Sequence, residues 1–550
     1  LVHAGSDIAV RVKAEDVWGN PMRELDLRPV LTLQPEGGKA SPIDIEPTHD
    51  TGVLRYALPA PAEPGVYYAE VTGASLQPNM SNPKRVLPPG EQMDHQLHWC
   101  DFHGQTGETI GTGTVEEYFW FGRHFGFIDG SCHQGNDFQI DQAIWKRIVD
   151  AGNAANKDGE FVAFNGLEWS GNTPMGGDHN VLFNEEQPPL YRSSGWLASD
   201  GTKQEEVAPL SKLYATLKKH QAMTIPHIGG RPAALTETDP QVERLVELHS
   251  AWGTFEWVYK RAFANGFQVG FVANSDGHKC RPGASYPGAS TFGVIGGLTC
   301  VLSPERTRDA FWKALQERRC YATTGQRIYV DAKAAGQVIG SDLQVKGDFT
   351  VSGQVVGTAP LLGIDLMRED QVLESWTPPE MAQADGHWVL MRLGGCRVYG
   401  RERYVNWHGA LTLEGNHLEE VNMQGLYNPE HGIKSQDENR VTFHVISTGN
   451  SINLAMRLAE PGKGKIRFES EPYSFEVDVA ELQPQAKRLF SAPIDQFLEI
   501  GTAPIGRLPM SHSFRFTAPP PARAAMPYFI RVRQLDESKA WTSPWYVTKD

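Results

Sequence analysis

His103 stands two residues beyond Asp101 in the run Asp101-Phe102-His103-Gly104-Gln105, directly after the apolar stretch Leu97 to Cys100. One metal-ligand residue after an apolar run means little. Here the arrangement recurs at His133, Glu168, His179, His227, the Glu247/His249 pair and the Asp276/His278 pair. Residues i and i+2 of an extended chain share a face. Asp276 with His278, Glu247 with His249 and His103 with Gln105 can therefore each point into one site. Imidazole and carboxylate donors together suit Zn, Mn or Fe. Such ions lower the pKa of bound water until hydroxide forms near neutral pH. The pattern predicts a metal-dependent hydrolase whose ligands converge from successive strand ends.

Those ligands need strands and helices to carry them. Apolar runs recur at 97–102, 126–129, 161–165, 179–183, 222–226, 244–248 and 268–274, and each reads as a strand. Between them, 139–156 and 208–219 show helical spacing of apolar residues, and a further helix is expected over 306–319. Alternation of this kind predicts a parallel sheet closed into a seven-stranded α/β barrel, one strand short of the eight-stranded form. Residues 1–90 carry short strands with Pro/Gly punctuation, clearest over Gly65 to Val71, and read as a β sandwich. Residues 91–325 form the barrel, and 326–550 turn β-rich, with strands expected at Phe349 to Val356, Leu361 to Met367, Val441 to Val445, Ile452 to Arg457, Tyr473 to Val479 and Phe529 to Val532.

At 550 residues the chain exceeds one core. Its formal charge of -15 argues against a general nucleic-acid binder, but leaves room for an anionic small-molecule substrate, because a metal centre dominates the field inside its own pocket. The 6 cysteines show neither a disulfide framework nor a CxxC knuckle and are expected as reduced thiols. No run reaches the length of a membrane span. The start Leu1-Val2-His3 shows no signal-peptide pattern. The compartment stays open, with the cytoplasm favoured and the periplasm the alternative if a leader has been removed.

The motifs resemble those of the PHP superfamily, named for its polymerase and histidinol-phosphatase members. Its opening Asp-Leu-His-x-His-Thr is similar to Asp101-Phe102-His103-Gly104-Gln105-Thr106, its Thr-Asp-His to Ser131-Cys132-His133, and its Gly-x-Glu to Gly166-Leu167-Glu168. Its strand-end His resembles His227, and its closing Asp-x-His resembles Asp276-Gly277-His278. The flanks Trp18-Gly19-Asn20-Pro21, Ser81-Asn82-Pro83, Tyr321 to Gly325 and Ala540 to Pro544 resemble a large bacterial subgroup with β domains on both sides of the barrel and largely unassigned function. The resemblance implies a distorted barrel holding up to three metals. One would use His103, Gln105, Glu168 and Asp276. Glu168 would bridge to a second that also takes His227, and a third would take His133 and His278. The chain departs from the pattern at Gln105, where the family has His, and at Cys132, where it has Asp. Glu108 is the nearest match to a further ligand after the opening motif. The metal count therefore lies between one and three.

Around these ligands, His179 and His249 are candidates to protonate a leaving group. Arg231 and the loop cations Lys279 and Arg281 are candidates to hold anionic oxygens. Glu247 and His249 fit equally a role in orienting a ligand. Trp169, Trp252 and Trp257 read as core or as a pocket wall. The first reading is a phosphoesterase using a metal-bound hydroxide. The second is an amide, ester or lactone hydrolase on the same barrel. A third is a non-catalytic carbohydrate-binding protein with a vestigial metal site. The flanking β domains leave an oligomer open.

Overall fold

The computed structural model describes residues 2–3, 6–22, 29–45, 47–50, 52–73, 79–91, 93–200, 206–283 and 292–550. The central segment supplies strands β1 (Gln96–Asp101), β2 (Gly130–Cys132), β3 (Val162–Ser170), β4 (Asp178–Phe183), β5 (Ala222–Pro226), β6 (Leu245–Ser250), β7 (Gly270–Ala273), β8 (Leu298–Ser303) and β9 (Cys320–Thr323). Helices α1 (Val115–His124), α2 (Gln142–Ala155), α3 (Leu210–Leu217), α4 (Glu256–Ala264) and α5 (Arg308–Gln316) lie between them. Strand β2 runs parallel between β1 and β3, and β6 runs parallel to β7.

Three expectations fail here. The sheet is not uniformly parallel: β4 runs antiparallel to both β3 and β5. Residues 171–177 are too few for the crossover that a parallel pair requires, which takes about a dozen residues or more. Nor is the sheet closed into a barrel. Among the described residues, β5 is paired toward β6 only by the isolated bridge between Thr224 and Glu243, just before β6, and the loops after β1 and β7 meet at the bridge between Gly104 and Gly277. The expected strand at 126–129 is also displaced, since the paired residues are Gly130–Cys132. Phe121 and Phe125 instead pack with Val53 of the N-terminal domain, and Trp120 and Phe127 lie against them. That interdomain contact accounts for Phe127, while Ile128 packs into the central core with Val115 and Tyr118.

Local chemistry explains the helices. Thr114 caps α1 by accepting from the Glu117 N–H, while the Glu117 side chain accepts from the Thr114 N–H, a reciprocal capping box. Asp141 accepts from the Ile144 N–H and starts α2, which buries Trp145, Ile148 and Val149 beside Phe161 and Ala163. Each large apolar side chain so buried contributes about 1.5–3 kcal/mol.

The flanking parts are β structures. Two small sheets, built around Gly65–Thr72 and Val53–Pro59, enclose Ile8, Leu31, Leu54 and Tyr56 in the N-terminal part. In the C-terminal part, two five-stranded sheets sandwich Met391, Trp407, Phe443 and Met456. The central sheet continues into this part: β9 pairs with Lys539–Thr542, which pairs with Met526–Gln534, which pairs with Leu361–Arg368. No helix among the described residues is long and apolar enough to cross a membrane. All six cysteines are buried and unpaired.

Candidate metal centre

The loop after β1 and the loop after β7 are tied together before any ligand is placed. Asp101 accepts from the N–H groups of His103 (3.3 Å), Ser275 (2.9 Å) and Gly283 (2.8 Å). Burial pushes its carboxyl up to about 6 despite those donors. The Asp276 N–H donates to the His103 carbonyl (2.8 Å), and the Gln105 N–H to the Gly277 carbonyl (2.8 Å). Asp276 takes a left-handed backbone (φ 46°), a conformation that Asp tolerates better than most residues.

This frame brings His103, Glu168 and His227 into one buried cluster, with one ligand atom from each lying within 4.8 Å of the others. His103 Nε2 lies 3.3 Å from Asp276 Oδ1 and 3.9 Å from Glu168 Oε2, and its ring is edge-on to His227 at 4.4 Å. On its other side, Nδ1 faces both oxygens of Glu247, at 3.3 and 3.2 Å. Glu247 is in turn fixed by donation from Asn274 (2.7 Å) and Asn180 (3.4 Å). Glu247 thus orients the imidazole through the nitrogen that faces away from the cluster, as carboxylates behind ligating histidines commonly do.

The electrostatics fit a cation. Three buried carboxylates, Glu168, Glu247 and Asp276, surround His103. Burial alone would push the His103 imidazole down, but Asp276 and Glu247 outweigh it and hold it well above its ordinary range. Burial, with the charge on His103, pushes His227 well down. Among the described residues, neither ring nitrogen of His227 has a hydrogen-bond partner, and neither does His103 Nε2. A buried imidazole with both nitrogens unsatisfied is costly; the nearest carboxylate oxygen, Glu168 Oε1, stays 3.7 Å from Nε2, and a divalent ion held between them would supply the missing partner. Two imidazoles and a carboxylate are also a common catalytic zinc donor set.

The other expected residues are placed as follows. The Gln105 amide donates to Glu168 Oε2 (2.8 Å), while its oxygen accepts from Thr109 (3.0 Å). His133 Nε2 faces Thr106 Oγ1 at 3.0 Å, and burial pushes this imidazole down to about 3. His278 Nε2 reaches Asp276 Oδ1 (3.3 Å), and its side chain is 13% exposed. Arg231 Nη2 is 3.6 Å from Glu168 and its Nε 2.8 Å from Asp178, with a quarter of the side chain exposed. His179 and His249 do not join the cluster. His179 pairs across the sheet with Trp169, while Glu168 pairs with Asn180, so its ring turns to the opposite face. There it meets the Gly177 carbonyl (3.0 Å), Glu243 (3.5 Å) and the ring of Tyr214. An irregularity between Glu247 and His249 redirects His249 to Thr254 Oγ1 (2.8 Å) and the Ile295 carbonyl (2.9 Å). Burial pushes it down to about 4. Glu108 pairs with Arg147 (3.1 Å), and Arg281 donates to Gly19 and Asn20 of the N-terminal domain.

Sequence reading missed Asn180, Asn274, Asp178 and Arg403. Asn274 lies two residues before Asp276, just outside the Asp276-Gly277-His278 motif, on the same alternation of an extended chain. Arg403 had no local signal. It comes from the C-terminal part, is buried, and donates to the carbonyls of Ile228 (3.2 Å) and Gly229 (2.8 Å), directly after His227.

A family described as "Protein of unknown function (DUF3604)" matches residues 113–232 and 285–372, less than half of the chain. An uncharacterized protein of Chlamydia pneumoniae is 25% identical over 350 residues, covering 58% of this chain and 54% of that one. An uncharacterized protein of Chlamydia trachomatis is 26% identical over 352 residues, with the same coverage. The chain thus spans about half the length of the curated relatives it matches. Among solved structures, it is similar to a two-domain protein from Bacteroides vulgatus described as containing a predicted PHP-like metal-dependent phosphoesterase. The TM-score is 0.30 and the identity 10%, over 70% of this chain and 96% of that one.

Proposed function

We propose that this chain is a metal-dependent hydrolase that cleaves a phosphoester. The observation that carries the reading is the buried His103, Glu168 and His227 cluster with its unsatisfied imidazole nitrogens. These three residues and Asp276 would hold the metal. When bound, such an ion polarises the substrate oxygen and makes water a nucleophile near neutral pH.

The chain's own residues prepare the rest. Glu247 holds the His103 ring by Nδ1 so that Nε2 faces inward. Gln105 donates to Glu168 and limits its rotation. Arg231, aligned by Asp178 and partly exposed, offers its guanidinium to the anionic oxygens of a substrate. His278, partly exposed beside Asp276, would be the candidate to give a proton from its ring to a leaving oxygen. His179 and His249 remain candidates only if substrate binding turns their rings, because each is held by two partners.

One observation favours a second reading. The clustered donors are two histidines and one glutamate, while His133 is held by Thr106 outside them. A single ion on that donor set suits carbonyl substrates as well as phosphoryl ones. Metal content of the pure protein, with turnover on an aryl phosphate panel and an aryl ester and amide panel, tests both. Phosphate turnover lost on metal removal and in His227→Ala supports the first reading. Ester or amide turnover alone supports the second, and full turnover without metal sinks both.

A further inference from the structure

Two adjoining cavities, of about 430 and about 300 Å³, lie where the N-terminal β domain meets the central segment. They share Arg11, Asp129 and Arg306. The first is lined by the cations Arg11, Lys84, Arg85, Arg306 and Arg327, and Asp129 is its single carboxylate among the described residues. The second adds Arg55 and Arg123, with Glu160. This is an unusual concentration of positive charge in a chain whose net charge is -15.

The carboxylates present are already engaged. Asp129 binds Arg306 (2.8 Å) and accepts from the Trp99 N–H (2.8 Å). Glu160 binds Arg123 and Lys157. Glu91, nearby, binds Arg85 (3.2 Å). Arg11, Lys84 and Arg327 form no ion pair with a carboxylate among the described residues; Arg327 donates only to the Gly126 and Phe127 carbonyls. Burial and then the neighbouring Arg55 push the Arg11 guanidinium down, and burial does the same to Lys84 and Arg327. Cations crowded in a half-buried cleft repel one another and lose hydration, and an anion between them reverses both costs.

The cleft is separate from the metal cluster. Trp99 lies on its wall four residues before His103, and Asp129 four residues before His133. At about 3.3 Å per residue, the cleft is at the opposite end of β1 and β2, roughly 13 Å away. Its volume falls in the ordinary range for small-molecule sites. Trp99, Phe127 and Tyr329 give it aromatic walls. Guanidinium forks on both sides of the shared boundary suit more than one phosphate group.

We propose that this interdomain cleft binds a small polyanion carrying at least two phosphate groups, and that binding clamps the N-terminal β domain onto the central segment. The proposal is independent of the reaction at the metal centre. The test is calorimetric titration of the full, metal-stripped chain with inorganic pyrophosphate and tripolyphosphate at low salt, with inorganic phosphate for comparison. One pyrophosphate per chain is expected, bound more tightly than phosphate and released by added salt. Arg11→Gln/Lys84→Gln weakens binding by about tenfold or more, from the loss of two charge-assisted contacts. Asp276→Asn leaves it unchanged. Pyrophosphate raises the thermal midpoint of the wild-type chain and not of the double variant. Lys84→Gln alone carries the same test, with a smaller loss, should the double variant misfold. The proposal is overturned by absence of binding at millimolar pyrophosphate, by equal binding in the cleft variants, or by loss of binding in Asp276→Asn.

Discussion

Replacing Glu247 with Gln perturbs the metal cluster without touching a proposed ligand. The carboxylate accepts from His103 Nδ1 through both oxygens, from Asn274 at 2.7 Å and from Asn180 at 3.4 Å. An amide of the same shape keeps one acceptor and brings an NH2 group against a donor. A hydrogen bond to a charged group is worth about 1.5–3 kcal/mol and a neutral one about 1 kcal/mol. The exchange therefore costs His103 about 0.5–2 kcal/mol of orientation and basicity. That converts to about 2–30-fold in metal affinity, its upper part overlapping the roughly 10–100-fold range for groups that orient metal ligands.

The metal-free protein responds differently. Burial pushes the Glu247 carboxyl up, so a neutral amide is easier to bury. Asp276 and Glu168 still face the His103 ring. Metal-free stability should change by about 1 kcal/mol or less. Chelator competition with Zn²⁺ and Mn²⁺ measures the affinity, and urea unfolding of stripped protein measures the stability. A metal Kd within about twofold of wild type would refute the assignment of Glu247 as the group that orients His103. A fall in affinity matched by an equal fall in metal-free stability would refute it too, because the effect would then be on the fold.

Further predictions concern the elements around the cluster. Burial pushes the Glu256 carboxyl up, but Arg531 and Lys539 outweigh it and, with the Trp541 N–H, hold it at about 2, against an ordinary value of 4.5. A depressed carboxyl stabilises the fold fully above its ordinary value, and the contribution fades as pH falls toward about 2. The shift corresponds to at most about 3 kcal/mol. With the side chain 14% exposed, we expect Glu256→Gln to lose about 2 kcal/mol near pH 7 and almost nothing near pH 2, read from urea midpoints. Arg403→Met removes two charged hydrogen bonds to the loop after His227 and should cost about 3–4 kcal/mol. It should also weaken metal binding, and an unchanged metal Kd would show that the loop holds its place without Arg403. Thr114→Ala removes the α1 cap and should cost about 1 kcal/mol in thermal unfolding, with metal binding unaltered.

The proposed ligand set is legible in the sequence because strands expose residues at fixed offsets. His103, Glu168, His227 and Asp276 are each found from the residues next to them. It also located most strands: Phe349–Val356 falls where expected, and 222–226 matches β5. What it could not show depends on distance or on direction. The reversal of β4 was legible only from the shortness of 171–177, because strand periodicity carries no polarity. The apolar run near 126 resembles a strand because burial of Phe127 against another domain and of Ile128 beneath α1 leaves the same local mark as burial in a sheet. His179 was grouped with the ligands because a strand-end position does not say which face a side chain takes. The register with Trp169 decides that, and register is a property of pairs.

Arg403 shows how far the cluster depends on residues beyond 325. Its two hydrogen bonds fix the carbonyls that follow His227, and its guanidinium lies over the rings of Trp252 and Phe255. Two other ties act on β7, the strand that leads to Asp276. Ser543 Oγ accepts from the Phe271 N–H (2.9 Å), and the Tyr546 hydroxyl donates to the Val269 carbonyl (2.8 Å). Strand β9 is paired on its outer edge by Lys539–Thr542. Without the C-terminal part, the His227 loop would lose its clamp, β7 would lose both ties, and β9 would present an unpaired edge with Ala322 exposed. The open sheet explains why such ties are needed: a closed barrel fixes strand ends by its own ladders, whereas here β5 to β6 and β7 to β1 are joined by single bridges. The C-terminal β structure therefore acts as part of the wall that sets the cluster's geometry, and a fragment ending at 325 should bind metal more weakly than the full chain even where its strands form.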